Sequence, residues 1–449
     1  MKISSGRKLS AAVFVIFLST LAFSQSVTIS LPANGATVGS PVHVVATANG
    51  GTAAVTAIRL YVDNKIITTL NSSHMDISPA MAAGSHNLVI VGWNTAGLSF
   101  SSSRTIKVPA AAPAPPPPPS PFAADFHSTS NWLASQSAAT GALLYSTTRI
   151  NPYYANLAAI GLVKDSARYV QIENWMRWYI SHLNKTDRWN LGGTMYDYNI
   201  VSGVELSSGD ADSTDSYAAT FLSLAYAYFA TGNPAAQSYV RSISSELEQI
   251  ANVLVKTQQS DGLTWAKPNY QIKYLMDNSE VFRGLADVST LFGSMGDTAK
   301  RTYYSALATN CQRGIWGMWM GTKWAVYKDA LGRLIAPTMS TWYPDATAQM
   351  FPVLYGAVPG TDSKAQTAYA TFLKAWPGWA QLSFNAQDPF PWVMVAGGAA
   401  LVGDKTRVNT YASSVRTKWV NKGFPWTWYS MEAGWYLRLA TYMQGGSAL

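Results

Sequence analysis

Four acidic residues stand where they could do acid–base chemistry. Asp215, Glu280 and Asp345 recur at intervals of 65 residues, each at the start of a largely apolar segment, and Asp197 lies between aromatic rings in Thr194-Met195-Tyr196-Asp197-Tyr198. At the amino end of a helix, unpaired backbone N–H groups and the helix dipole favour a negative charge, so the first three suit a base. Asp197 sits in a loop among rings, where desolvation raises a carboxyl pKa and suits an acid. One protonated and one charged carboxyl are the equipment of general acid–base catalysis. The same positions also suit helix caps. Asp212-x-x-Asp215 and Asp277-x-x-Glu280 both have capping-box spacing, and Asp345 follows Pro344 at a first turn. Asp212, and Asp388 before Pro389, read as caps; Glu432 fits either a cap or a substrate contact.

These residues need elements to hold them. From Phe122 onward the chain reads as helices rich in Ala, Tyr and Trp. Apolar helices begin near Pro152, Asp212, Asp277, Pro344, Asp388 and Ser430, and more polar ones lie near 128–138, 166–184, 235–257, 298–311, 363–376 and 405–420. The segment from Ser216 to Phe229 has no polar stripe, so it must be surrounded by other helices. The intervals between matching positions, 63 residues from Pro152 to Asp215, then 65, 65, 43 and 44 to Glu432, describe a repeat of helical hairpins. Twelve helices alternating inner and outer predict a closed toroid.

Over about residues 123–445 this pattern resembles the six-hairpin, or (α/α)6-barrel, glycosidases and their relatives. Gly209-Asp210-Ala211-Asp212, followed by Asp215 and an Ala-rich helix, is loosely similar to the aspartate-bearing segment of family 8 glycoside hydrolases, whose order of catalytic residues is not transferred here. The resemblance implies an all-α (α/α)6 toroid whose six inner helices run parallel and gather their amino ends at one rim. The long outer-to-inner connections 185–211, 258–276 and 312–343 would share that rim, whereas inner-to-outer turns such as Thr231-Gly232-Asn233-Pro234 are short. Loops of such length in a compact domain are usually functional. They are aromatic, with Trp189, Tyr196, Tyr198, Trp265, Tyr270, Trp316, Trp319, Trp324 and Trp342, joined by Trp426 and Trp428. Rings beside carboxylates suit a sugar, although any one of these Trp residues also reads as core packing.

The expected function is therefore a glycoside hydrolase acting on an oligo- or polysaccharide through paired carboxylates, without a metal or other cofactor. Asp197, Asp215, Glu280 and Asp345 are the catalytic candidates, and Tyr196, Trp265, Lys273, Trp342, Trp428 and Glu432 the substrate-binding ones. Two alternatives stay open. A polysaccharide lyase of the same toroid class would use a Tyr or His beside an Arg or Asn and want a basic rim, for which Lys267, Lys273 and Lys323 are available. A non-catalytic carbohydrate-binding protein would use the acids as caps.

Ahead of the helical part, residues 27–108 alternate apolar and polar at period two between turn signals such as Asn49-Gly50-Gly51. This predicts a small β-sandwich of immunoglobulin type, resembling the bacterial Ig-like modules appended to exported enzymes, down to the Leu60-Tyr61-Val62-Asp63 hairpin strand. With no aromatic platform it reads as a spacer. Residues 109–121, rich in proline, predict an extended linker to the helical domain at 122–449.

Residues 1–24 carry Arg7 and Lys8, an apolar run and a small-residue site, the marks of a secretory signal peptide, so a secreted or periplasmic protein is expected. No later stretch is apolar for long enough to span a bilayer. Without the leader, 29 basic and 24 acidic residues leave a net charge of +5 and no Lys/Arg run suited to nucleic acid. Cys311 is the single cysteine and reads as a buried structural residue, so the core alone must hold the fold. With five histidines, only His127 and His182 in the helical part, a His-rich metal site or a Ser/His hydrolase is disfavoured.

Overall fold

The computed structural model describes residues 24–110 and 122–446; the expected leader, apart from its last residue, and most of the proline-rich linker lie outside them. The chain divides into two compact units, residues 1–117 and 118–449.

In the first unit the strands are β1 (Ser26–Leu31), β2 (Val44–Asn49), β3 (Val55–Val62), β4 (Lys65–Leu70), β5 (His74–Ile77), β6 (Gly84–Asn94) and β7 (Ser99–Val108). They form two antiparallel sheets, β1-β2-β5 and β4-β3-β6-β7. The period-two pattern decides which face is buried. Ile58, Leu60 and Val62 of β3 and Leu88 and Ile90 of β6 meet Val27, Ile29, Val44 and Ala46 in one core. The β3–β4 hairpin turns on Asp63 and Asn64, both at positive φ, as a two-residue turn matching strand twist requires.

In the second unit the helices are α1 (Ala123–Ser135), α2 (Pro152–Leu162), α3 (Tyr169–Ser181), α4 (Thr214–Phe229), α5 (Pro234–Ser242), α6 (Ser244–Thr257), α7 (Leu275–Ser294), α8 (Thr298–Trp316), α9 (Phe351–Leu354), α10 (Ser363–Ala375), α11 (Val393–Leu401), α12 (Lys405–Lys418) and α13 (Ser430–Met443). Packing runs α2–α4–α7–α9–α11–α13 and back to α2, a closed ring. This is the (α/α)6 toroid. Ring members are apolar on nearly every side, and all eight residues Val393–Ala400 of α11 are buried. An outer helix such as α6 buries one stripe, including Leu247, Ile250, Ala251 and Leu254. Two contacts bring inner backbones together. A Cβ on Gly161 would stand 2.3 Å from Gly434 Cα, and one on Gly284 2.6 Å from Ala219 O, so only glycine lets α2 meet α13 and α4 meet α7 so closely.

Two inner elements depart from expectation. The segment after Pro344 is a wide turn, Trp342–Ala346, followed by the single-turn α9, because Pro352 has no N–H to offer the carbonyl four residues back. The segment at Asp388 becomes helical only at Val393, after Pro389 and Pro391. The outer helix expected over 235–257 is broken at Ile243 into α5 and α6.

Candidate active site

All six inner elements bring their amino ends to one cavity of about 510 Å³. Tyr153 and Tyr154 come from α2, Ser216 and Tyr217 from α4, Met276 and Asp277 from α7, Phe351 from α9, Met394 from α11 and Met431 from α13. The segments that lead into these helices add Asn151, Asp212, Ser213, Tyr343, Asp388, Trp392 and Tyr429. The parallel arrangement of the inner helices has this consequence: their positive dipole ends converge on a single space. Over the α2 and α4 side lies a small antiparallel sheet, β8 (Arg149–Ile150), β9 (Tyr198–Val201) and β10 (Val204–Ser207), which delivers Arg149 and Asp197 to the wall. A side lobe of about 620 Å³ shares Asp212, Ser213, Met276, Asp277 and Tyr343 and adds Arg188, Asp210, Lys267, Tyr270 and Tyr274.

Asp197 is heavily coordinated. Its Oδ1 accepts from Tyr217 Oη at 2.8 Å and Asn151 Nδ2 at 3.1 Å, and its Oδ2 from Arg149 Nη2 at 3.2 Å. Asn151 also caps α2, its Oδ1 accepting from Tyr154 N at 2.9 Å. Burial raises the Asp197 carboxyl, against the lowering effect of Tyr217 and Arg149.

The second group of acids is organised by Ser213, the cap of α4. Its hydroxyl stands 2.6 Å from Asp215 Oδ1 and 3.2 Å from Asp277 Oδ2. Asp215 is wholly buried beneath the cleft, where its carboxylate also accepts from Ser216 N at 2.9 Å and Thr264 Oγ1 at 2.5 Å. Burial raises it to about 6. Asp277, which faces the cleft, is pushed well above its ordinary value, first by burial and then by the carboxylates of Asp215, Glu280 and Asp212 when these are ionised. Across the ring, Asp388 has one carboxylate oxygen on Phe390 N at 3.0 Å. Trp392 beside it sits at φ 58°, in the left-handed region, and packs on Tyr343 with ring centroids 5.0 Å apart. Among the described residues, no cluster of three His, Cys, Asp or Glu could hold a metal ion.

The structure distributes the residues singled out by sequence widely. Asp197 is on the cleft wall. Asp215 lies under the floor. Glu280 is buried with Oε1 accepting from Tyr153 Oη at 2.5 Å and Tyr355 Oη at 2.9 Å, and burial raises it to about 8. Asp345 is outside the cleft and accepts from Thr338 N, pinning the preceding loop. Glu432 is buried and accepts from Trp392 N at 3.1 Å and Val393 N at 2.8 Å, capping α11 from a neighbouring helix. Tyr196 Oη accepts from Arg188 N at 3.1 Å, tying the loop, and Trp265 is half-buried in the 258–276 loop without lining the cleft. Lys273 is paired with Asp261 at 2.8 Å. Trp342 and Trp428 are core residues: Trp342 stacks on Phe384 with centroids 3.9 Å apart, and Trp428 packs among Trp132, Phe424 and Tyr436.

In their place the cleft presents Asp212, Asp277 and Asp388 with a lining of tyrosines, Phe390 and Trp392. Two of these acids were read as caps. Neither serves as one, because Ser213 caps α4 and Glu432 caps α11. Asp277 carried a signal in its position beside Glu280, yet spacing could not say which of the two faces outward.

Residues 26–90 match the family model of the bacterial Ig domain. No curated protein sequence matches the chain. Among solved structures, a wild-type glycosidase shares 12% identity at TM-score 0.53, covering 72% of this chain and 97% of that one. A GH63 mannosylglycerate hydrolase from Thermus thermophilus, in complex with glucose, shares 11% at TM-score 0.51, covering 70% and 99%. The chain is thus a bacterial Ig domain joined to a helical toroid with the fold of glycosidases.

Proposed function

We propose that this protein is an exported glycoside hydrolase in which Asp277 is the general acid and Asp388 the general base. The observation that carries the reading is the pair itself: a carboxyl whose pKa burial and neighbouring charge raise, and, lining the same cavity, a second carboxyl with one oxygen tethered by Phe390 N. The helix ring places them apart. Asp277 belongs to α7, and Asp388 leads into α11, two positions further round. A sugar lying between them would meet one carboxyl on each side, the arrangement of an inverting hydrolase. Asp277 gives its proton to the glycosidic oxygen as the C–O bond breaks. Asp388 takes a proton from the water whose oxygen bonds to the anomeric carbon.

Asp212 supports the acid through its charge, one of those that raise the Asp277 pKa. Asp197 is a positioning residue in this reading, since each of its oxygens already accepts from a donor and it aligns Tyr217, Asn151 and Arg149. Tyrosine and tryptophan faces bind the apolar sides of the sugar. The glycosidase neighbours support this reading through shared fold. The Ig-like module serves as a spacer, with the leader at 1–24 and the linker at 109–121 as the sequence suggests.

The test is a panel of neutral and acidic oligo- and polysaccharides, followed for new reducing ends and for ultraviolet-absorbing unsaturated products. Reducing ends without that absorbance, lost in Asp277→Asn, are expected. Unsaturated products would show a lyase, and tight binding without turnover a binding protein.

A further inference from the structure

At the carboxy-terminal ends of α2 and α4 a second cavity, of about 360 Å³, opens on the side of the toroid away from the cleft. Its lining includes Lys164, Arg283, Asp287, Glu280, Tyr355 and Arg438. Arg283 is accounted for: its Nε donates to Asp287 Oδ2 at 2.9 Å and its Nη2 lies 2.8 Å from Oδ1. Arg438 is different. It is only 8% exposed, and among the described residues it makes no hydrogen bond or ion pair; its Nε is buried without a partner. One face of the guanidinium is covered by the Trp435 ring at 3.8 Å, which leaves its edge turned to the cavity.

A guanidinium carries five donors and no acceptor, and burying it unpaired is among the costliest arrangements a protein core can hold. Among the described residues no wall carboxylate pairs with it. The Asp287 carboxylate is taken by Arg283, and Glu280, hydrogen-bonded by two tyrosines, is held in its neutral form at neutral pH. The surplus is positive, and a planar fork of N–H donors fits a carboxylate or phosphate edge. We propose that this cavity binds a small oxyanion, a carboxylate or phosphate group, with Arg438 as its principal partner. The site is separate from the carbohydrate cleft and does not depend on the function assigned there.

The experiment titrates the whole protein with sodium phosphate, sodium glucuronate and, at matched ionic strength, sodium chloride, read by calorimetry and by thermal unfolding. Saturable binding of phosphate or glucuronate but not chloride is expected, and which of the two binds tells phosphate from carboxylate. Arg438→Met keeps the volume and removes an unpaired buried charge, so it should fold, with affinity at least tenfold weaker. Arg438→Lys keeps the charge but loses the planar fork, so it should weaken binding about threefold and serves if Arg438→Met does not fold. Asp277→Asn should leave anion binding unchanged. Absence of oxyanion binding, equal binding by Arg438→Met (or by Arg438→Lys where that variant stands in), or loss in Asp277→Asn would overturn the proposal; in the first two cases solvent alone fills the cavity, and in the last the anion sits in the cleft.

Discussion

The hydroxyl of Ser213 lies 3.2 Å from the carboxylate of Asp277. It is closer still to Asp215, at 2.6 Å, and a hydroxyl has one proton to give. That proton can go to either carboxylate, so Ser213 ties the cleft acid to a buried one. The hydrogen bond from Ser213 lowers the Asp277 pKa against the larger effects of burial and charge. Ser213→Ala should therefore move the alkaline limb of the pH–rate profile upward, and loss of the α4 cap should cost about 1 kcal/mol. An alkaline limb that stays in place or moves down would dissociate Asp277 from the acid role.

Asp277→Asn and Asp388→Asn should each lower kcat by about 10²- to 10⁴-fold on natural glycosides. The two differ with an activated aryl glycoside. Its leaving group needs no proton, so the Asp277 variant should recover most of its rate and the Asp388 variant should not. Steady-state kinetics on both substrate types decide it; equal recovery would exchange or dissolve the roles.

Glu280 makes stability depend on pH. Its folded pKa of about 8 lies above its ordinary 4.5, so below about 4.5 both states hold the proton and no penalty exists. Between 4.5 and 8 the unfolded chain releases a proton that the folded one keeps, and stability falls as pH rises. The loss is on the order of a few kcal/mol by the top of that window. Glu280→Gln should flatten the slope in urea unfolding measured across this range; an unchanged slope would mean that Glu280 titrates normally.

Two tryptophans should separate binding from packing. Trp426 is 62% exposed and sets its ring edge-on to Tyr145 and Phe390 of the cleft, with centroids 5.8 and 5.7 Å away. Trp426→Ala should raise KM several-fold while changing stability by no more than about 0.5 kcal/mol. Trp342→Ala, in the core, should cost about 3–5 kcal/mol and leave KM of the folded fraction unchanged. The reverse pattern would return Trp342 to the substrate.

Much of the architecture was legible in the sequence because periodicity is a local property. A segment such as 216–229, with no polar stripe, can only be an inner helix, and its recurrence foretold a ring. The alternation in 55–62 likewise chose the buried face of β3. The fourth and fifth inner elements fall short of the helices expected from Pro344 and Asp388, because Pro352, Pro389 and Pro391 stand in the segments themselves.

The site was another matter. Asp212 and Asp215 are three residues apart at one helix mouth, yet one lines the cleft and the other is buried against Thr264 from a distant loop. Asp277 and Glu280 divide in the same way, Glu280 turning inward to Tyr153 and Tyr355. Asp388 lost its reading as a cap because Glu432 reaches across from α13 to take the free N–H groups of α11. By itself, the sequence determined which helices are inner and that acids gather at their amino ends. Which acid faces the cavity was decided by tertiary structure alone, because that depends on which donors the neighbouring elements bring within reach.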